Sequence, residues 1–209
     1  MKKTRTASIA ISLVLVTAVG LGACSSDHSG MSGMNSSTTT EIPANANYNA
    51  TDIGFAQGMI PHHAQAIEMA DLALTNTTNP DVLTLANKIK SAQSPEIEKL
   101  SGWLREWGQT VPSIAPGSMD HDMSGMGGMM MDGMMSQADM DRLETSTGTE
   151  FDRLWLELMI QHHEGAVKMS KSEVSGGKNP DAIALAEAII SGQQAEITAM
   201  ESLLTKLPV

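Results

Sequence analysis

"MIPHHAQAIEMA" at residues 59–70 returns as "MIQHHEGAVKMS" at residues 159–170, and the reading of this stretch decides the fold. Its apolar positions advance by four and three, the step of a helix stripe with about 3.6 residues per turn. One stripe takes Ala56, Ile60, His63, Ile67, Ala70 and Leu74, and is copied as Leu156, Ile160, His163, Val167, Ser170 and Val174. Its neighbour takes Phe55, Met59, His62, Ala66 and Met69, copied as Trp155, Met159, His162, Ala166 and Met169. The remaining face (Gln57, Gly58, Gln65, Glu68, Asp71) is mostly polar and is expected to meet water. Each histidine therefore sits within an apolar stripe, where an imidazole needs a hydrogen-bond partner or a metal.

The repeat extends well beyond this stretch. At an offset of one hundred residues and without a gap, Asp52, Asn79, Pro80, Asp81, Leu85, Ala86, Ile89, Ser91, Gln93, Glu96, Ile97 and Leu104 also meet their own residue type. Each half reads as two helices. Asn49 and Thr149, each with an aspartate three residues on, are the expected N-caps of the first helices. Asn79-Pro80-Asp81 and Asn179-Pro180-Asp181 supply a cap and an N1 proline for the second. The turns before them, "TNTTN" and "SGGKN", have breaker chemistry. No period-two alternation is present, so strands are not expected. The expected fold is all-α: a four-helix bundle built from two repeated helical hairpins, over residues 50–107 and 149–207. In up-down-up-down order the first and third helices would be diagonal and parallel, with their Met-His clusters at similar heights.

Residues 1–23 read as a lipoprotein signal peptide, with basic Lys2, Lys3 and Arg5 before an apolar run from Ile9 to Val19 too short to span a bilayer. Leu21-Gly22-Ala23-Cys24 resembles a bacterial lipobox, making Cys24 the expected lipidation site; a free thiol is the alternative. Residues 24–49, rich in Ser, Thr, Asn and Gly, read as a flexible tether. Removing the signal takes away three of 13 basic residues and none of the 24 acidic ones, so the formal charge moves from −11 to −14. Such a chain offers no basic footprint for nucleic acid and meets a membrane only through its lipid, but it concentrates cations around itself. With Cys24 the only cysteine, a metal site in the bundle must do without thiolate.

Methionine and histidine supply the alternative donors. Met59 stands three and four residues before His62 and His63, a spacing at which side chains on one helix meet, and Met159 repeats this before His162 and His163. Thioether with imidazole suits a soft or borderline ion, Cu(I) above all and Cu(II) through the histidines. Met69 lies two turns from His62, about 10 Å along the axis, too far to share its ion easily, and Met169 stands likewise to His162. The plainer reading is that methionine is adaptable core filler and a core histidine merely hydrogen-bonded. Gln93, Glu96, Gln193 and Glu196 either orient the rings or form a solvated helix edge. The segment 108–135 adds a Gly-spaced string: Met119, His121, Met123, Met126, Met129, Met130, Met131, Met134 and Met135. It resembles the methionine motifs of extracytoplasmic copper transport and resistance proteins. A low-complexity linker would explain the glycine but not so many oxidisable side chains. A short helix is expected from Ser136 to about Glu144.

Taken together, "MIPHHAQAIEMA", "FDRLWLELMIQHHEGAVKM" and the Gln93/Glu96/Ile97 and Gln193/Glu196/Ile197 blocks resemble the bacterial domain-of-unknown-function family 305 over about residues 50–207. The resemblance implies a ferritin-like four-helix bundle, usually exported, with members that bind copper through Met and His and support copper tolerance. It implies no catalysis: di-iron enzymes of that fold use Glu-x-x-His pairs, and neither half has one. Pro61, where the second half has Gln161, removes a helix hydrogen bond and makes the halves unequal. The expected function is an extracytoplasmic, lipid-anchored copper-binding protein that sequesters Cu(I) or Cu(II) or exchanges it with a donor or acceptor protein. A metal-dependent oxidase in the same bundle, or an envelope interaction module using its exposed methionines, are the other readings.

Overall fold

Asn49 starts the bundle. In the computed structural model, which describes residues 41–114 and 132–208, its side chain accepts the Thr51 and Asp52 amides at 2.8 and 3.2 Å while Asp52 accepts the Asn49 amide at 2.6 Å. This reciprocal box fixes the start of α1 (Ala50–Asn76), which runs without a break through Pro61. Asn79 caps α2 (Pro80–Glu106) by accepting the Asp81 amide, and Asn179 caps α5 (Pro180–Leu204) by accepting those of Asp181 and Ala182. Between the pairs Ser136 caps the short α3 (Gln137–Thr145), close to the expected span. The cap expected at Thr149 is displaced: α4 (Gly148–Gly176) begins after Thr147, whose side chain makes no cap bond. Asp152, which would have closed a capping box there, instead accepts the Asn79 side-chain amide at 2.8 Å.

The protein is an all-α bundle, with no strand among the described residues. α1 packs on α2 and α4 on α5, each pair joined by three residues and therefore antiparallel. The first and third long helices, however, are neither diagonal nor parallel. α1 packs directly on α4, and its start meets the end of α4: Asp52 accepts the backbone N–H groups of Lys178 and Asn179, and the Asn49 amide donates to the Gly176 carbonyl. At the other end Asn76 of α1 donates to the carbonyls of Leu143, Glu144 and Ser146, just before α4 begins. The order is thus up-down-down-up with one long crossover, the ferritin-like connection rather than the up-down-up-down one. Lys88 of α2 and Glu196 of α5 close the ring at 3.6 Å.

Two-fold rather than translational symmetry follows from this antiparallel packing of repeated helices. It divides the core in two. Ala66, Met69 and Ala73 of α1 join Phe151, Trp155 and Met159 of α4 in one apolar cluster, with Met135, Met140, Leu143 and Met200. Phe55, Met59 and Ile60 of α1 join Ala166 of α4 and Leu185 and Ile189 of α5 in the other, with Leu100 and Leu104 and the half-buried Met169. On both helices the His-His dipeptide lies between the residues of the two clusters.

The face expected to be solvated is only partly so. Glu68 and Asp71 are exposed, but Gln65 is buried because the end of the crossover lies on it. Its amide donates to the Met135 carbonyl at 3.0 Å and accepts the Met135 N–H at 2.8 Å, a two-point clamp of the kind made between strands.

Candidate metal centre

All four bundle histidines are completely buried. The antiparallel crossing brings His62 and His162 together, their ring centroids 3.8 Å apart and their planes tilted by 43°, and His163 lies 6.3 Å from His162. His63 and His163 each face a carboxylate: Nε2 of His63 is 2.7 Å from Oε2 of Glu96, and Nε2 of His163 is 2.9 Å from Oε2 of Glu196. The glutamates therefore orient rings and are not a solvated edge. With Nε2–H donating to the carboxylate, Nδ1 of a neutral ring presents its lone pair to the interior. Gln93 and Gln193 are also buried, with amide atoms that have no partner.

What the rings lack is informative. Both nitrogens of His62, both of His162, and Nδ1 of His63 and of His163 are buried without a hydrogen-bond partner. A buried donor or acceptor left unpaired costs about 1–3 kcal/mol, so a core accumulates six of them only against a strong opposing need. Burial holds the His62 imidazole down at about 3, with His63 and His163 pushing the same way and the Asp132 backbone opposing them. Burial likewise lowers His162 well below its ordinary value, reinforced by the neighbouring histidines. His163 is lowered by burial against the opposing pull of Glu196. These three rings are neutral near pH 7, the state in which imidazole is a metal ligand rather than a cation.

The thioethers stand on either side of this histidine layer. Met59 and Met169 belong to one apolar cluster, Met69 and Met159 to the other, so each side holds one methionine from each half of the repeat. Met69 thus shares its cluster with Met159 of the other half. Met140 and Met200, which the sequence pattern did not single out, join Met69, Met159 and Met135, giving that cluster five methionines. Met200 stands where the first half has Leu100, and this single departure from the repeat was the available signal. Among the described residues, no three His, Cys, Asp or Glu side chains are gathered closely enough to hold one ion as they stand. A metal site here would need donors beyond those side-chain types, and the neighbouring thioethers are of that kind. Donor chemistry, unpaired nitrogens and neutral rings all fit a soft or borderline ion.

The end of the crossover roofs the layer. Residues 132–135 cross from α4, where a Cβ on Gly165 would lie 2.1 Å from the Asp132 carbonyl oxygen, to Gln65 on α1. Gly133 takes φ +80, which glycine adopts without strain, and Asp132 pairs with Lys168 at 2.5 Å. Of the expected linker ligands, Met134 is half-buried and Met135 points into the apolar cluster. Met119, His121, Met123, Met126, Met129, Met130 and Met131 lie outside the described residues, as does Cys24. No described helix is long and apolar enough to cross a membrane. Gln65 and Gly165, which hold the roof, occupy the same place in the two halves; a glycine in mid-helix was the one sequence sign of them.

Comparison with known proteins adds independent findings. The model of the family described as "Domain of unknown function (DUF305)" matches residues 52–204. A protein described as a secreted DUF305 protein from Streptomyces coelicolor is 34% identical over 75% of this chain and 93% of its own, with a TM-score of 0.66. A DUF305 fragment from Deinococcus radiodurans is 30% identical over 76% of this chain and 98% of its own, with a TM-score of 0.65. CopM in its Cu(II)-bound form is 33% identical over 74% of this chain and 96% of its own, with a TM-score of 0.60. CopM is also solved with Cu(I), with silver and without metal. No curated protein matches the chain.

Proposed function

The chain belongs to the DUF305 family, and from that premise we propose that it is an extracytoplasmic copper-binding protein that sequesters or hands on copper. The observation that carries this reading is the buried layer of neutral imidazoles with six unpaired nitrogens, flanked on both sides by methionines. His62 and His162 are the central donors, His63 and His163 contribute Nδ1, and Met59, Met69, Met159 and Met169 supply sulfur. Glu96 and Glu196 set the ring orientations. Thioether favours Cu(I), while the imidazoles also accept Cu(II). CopM, with bound Cu(I), Cu(II) and silver, is a relative of similar fold and supports the choice of ion. Cys24 anchors the protein through lipid, and the tether leaves the bundle free to meet a copper donor or acceptor protein. The linker methionines Met119, Met123, Met126, Met129, Met130 and Met131, with His121, form a second, looser set of soft donors.

Titration of three proteins with Cu(I) under reducing conditions and with Cu(II) under oxidising ones tests the assignment. They are the mature chain, a form lacking residues 117–131, and a form with His62, His63, His162 and His163 changed to Ala. The linker deletion is expected to lose most of the Cu(I) equivalents and the four-histidine variant the Cu(II). Equal binding by all three proteins refutes the site, and a folded parent that takes up neither ion refutes the function.

A further inference from the structure

The repeat makes the two methionine pairs equivalent in sequence, yet the structure encloses them differently. Over the Met69 and Met159 side lies α3, whose Met140 and Leu143 are buried in the same cluster. The Met59 and Met169 side is covered instead by chain ends, Ile42, Ala46 and Tyr48 before α1 and Trp107 and Val111 after α2, and by no short helix among the described residues. There a cavity of about 180 Å³ opens between α1 and α4, lined by Thr51, Gly54 and Phe55 on one side, by Met169, Ser172 and Glu173 on the other, and by Asp132 from the crossover. Since a water molecule occupies about 30 Å³, this is room for an ion with several waters of its shell.

Three features of the lining bear on a metal ion. Phe55 and the half-buried Met169 belong to the cluster that contains Met59, so the floor of the cavity is the outer surface of the methionine layer. Glu173 is fully buried and neither of its carboxyl oxygens has a hydrogen-bond partner. Its counterpart in the first half is Ala73, so the second half alone places an oxygen donor here. Asp132 both lines the cavity and carries the backbone that borders the His62 ring, linking cavity and histidine layer through one residue. Lys168, the cation at the rim, is held by Asp132.

We propose that this cavity is the port through which a copper ion reaches and leaves the His62/His162 pair, Met169 being the first thioether it meets and Glu173 an oxygen donor during passage as it releases its proton to the cavity water. The side under α3 is closed to exchange. This rests on the copper-binding reading and adds to it a route and a direction. A port differs from a donor in its kinetics: narrowing it slows entry and exit by the same factor and leaves the equilibrium unchanged, whereas removing a donor changes affinity.

Gly54 allows a direct test, because a Cβ there meets no atom within 4 Å, and the same is true of Gly102 on α2, away from the cavity. Gly54→Leu and Ser172→Phe narrow the cavity from opposite walls, and Gly102→Leu is the control. Cu(I) uptake from a chromophoric cuprous chelator, and release to excess chelator, are followed by stopped flow in proteins that all lack residues 117–131, so that the linker's own Cu(I) equivalents do not enter the signal, with stoichiometry, affinity and melting temperature measured on the same samples. Both narrowing variants are expected to melt at or above the control. They should slow uptake and release alike by about tenfold or more, with affinity held within about twofold. Parent-like rates in both narrowing variants, or a loss of affinity that accounts for the change, overturn the port. A parent that takes no copper from the chelator overturns the copper reading itself, which the variant rates among copper-binding proteins do not address.

Discussion

Glu173 shows how one departure from the repeat changes the chemistry of a residue. Asp52 nearby accepts from the N–H groups of Asn49, Lys178 and Asn179, whereas Glu173 has burial and no donor. Burial raises the Glu173 carboxyl to about 8, and the neighbouring Asp52 carboxylate pushes the same way. Its folded value lies above the ordinary 4.5, so the native state binds the extra proton between these limits. The stability it contributes is full below about 4.5 and is lost as pH rises through about 8. His62, His162 and His163 run the other way: their folded values lie below 6.5, so their contribution is present above 6.5 and lost as pH falls through the folded values. The two windows overlap between about 4.5 and 6.5, so metal-free protein should melt highest near 6.5, and Glu173→Gln should remove the decline above it, where the histidines no longer titrate. Melting curves across pH 5 to 9 check this; a variant that keeps the parent's alkaline slope would show that Glu173 is not its source.

Among the elements, the roof over the histidines depends on a glycine that a helix would normally prefer to replace. Alanine is favoured over glycine in a helix interior by about 1 kcal/mol, and Gly192 of α5, where a Cβ meets nothing within 4 Å, should follow that rule. Gly165→Ala should reverse the sign, because its Cβ would lie 2.1 Å from the Asp132 carbonyl oxygen and 2.7 Å from Gly133 Cα, both backbone atoms that cannot rotate away. The expected result is a net loss of about 1–3 kcal/mol against parent, as the Gln65 clamp on Met135 is broken and buried polar atoms lose their partners. Urea denaturation of the two variants gives the energies, and amide exchange at Met135 shows whether the crossover lifts. A stabilised Gly165→Ala would mean that the crossover does not rest on α4. The helix ends at Asn49, Asn79 and Asn179 were legible beforehand because caps are local chemistry, written within three residues of the turn. The burial of Gln65 was not, since its partner comes from 70 residues away and periodicity describes only a helix's own faces. The start of α4 at Gly148 was missed for a related reason: copying the Asn49 cap by repeat arithmetic ignored a backbone φ of +60 that suits a glycine there.

At the scale of the molecule, a gapless sequence repeat fixes that two similar hairpins exist but not how they face each other. Translation and two-fold rotation leave the same pattern in the chain, and a crossover from residue 107 to residue 147 is long enough for either. The two-fold arrangement puts His62 against His162 and fills the centre of the core with polar rings that the surrounding side chains do not satisfy. Such a core is a compromise between stability and function. Replacing both central histidines by leucine removes four unpaired nitrogens, and exchanging unsatisfied polar groups for apolar ones of similar size is neutral to stabilising. The metal-free His62→Leu/His162→Leu variant should thus be more stable than metal-free parent by about 1–3 kcal/mol. Copper should invert the order. At a free ion concentration of about 100 times the dissociation constant, the parent gains about 2.7 kcal/mol by mass action, and the variant, lacking the central donors, gains little. Paired denaturation curves with and without Cu(I) decide the matter: a variant destabilised when metal-free would make the rings structural, and a variant stabilised by copper as much as the parent would move the ion elsewhere.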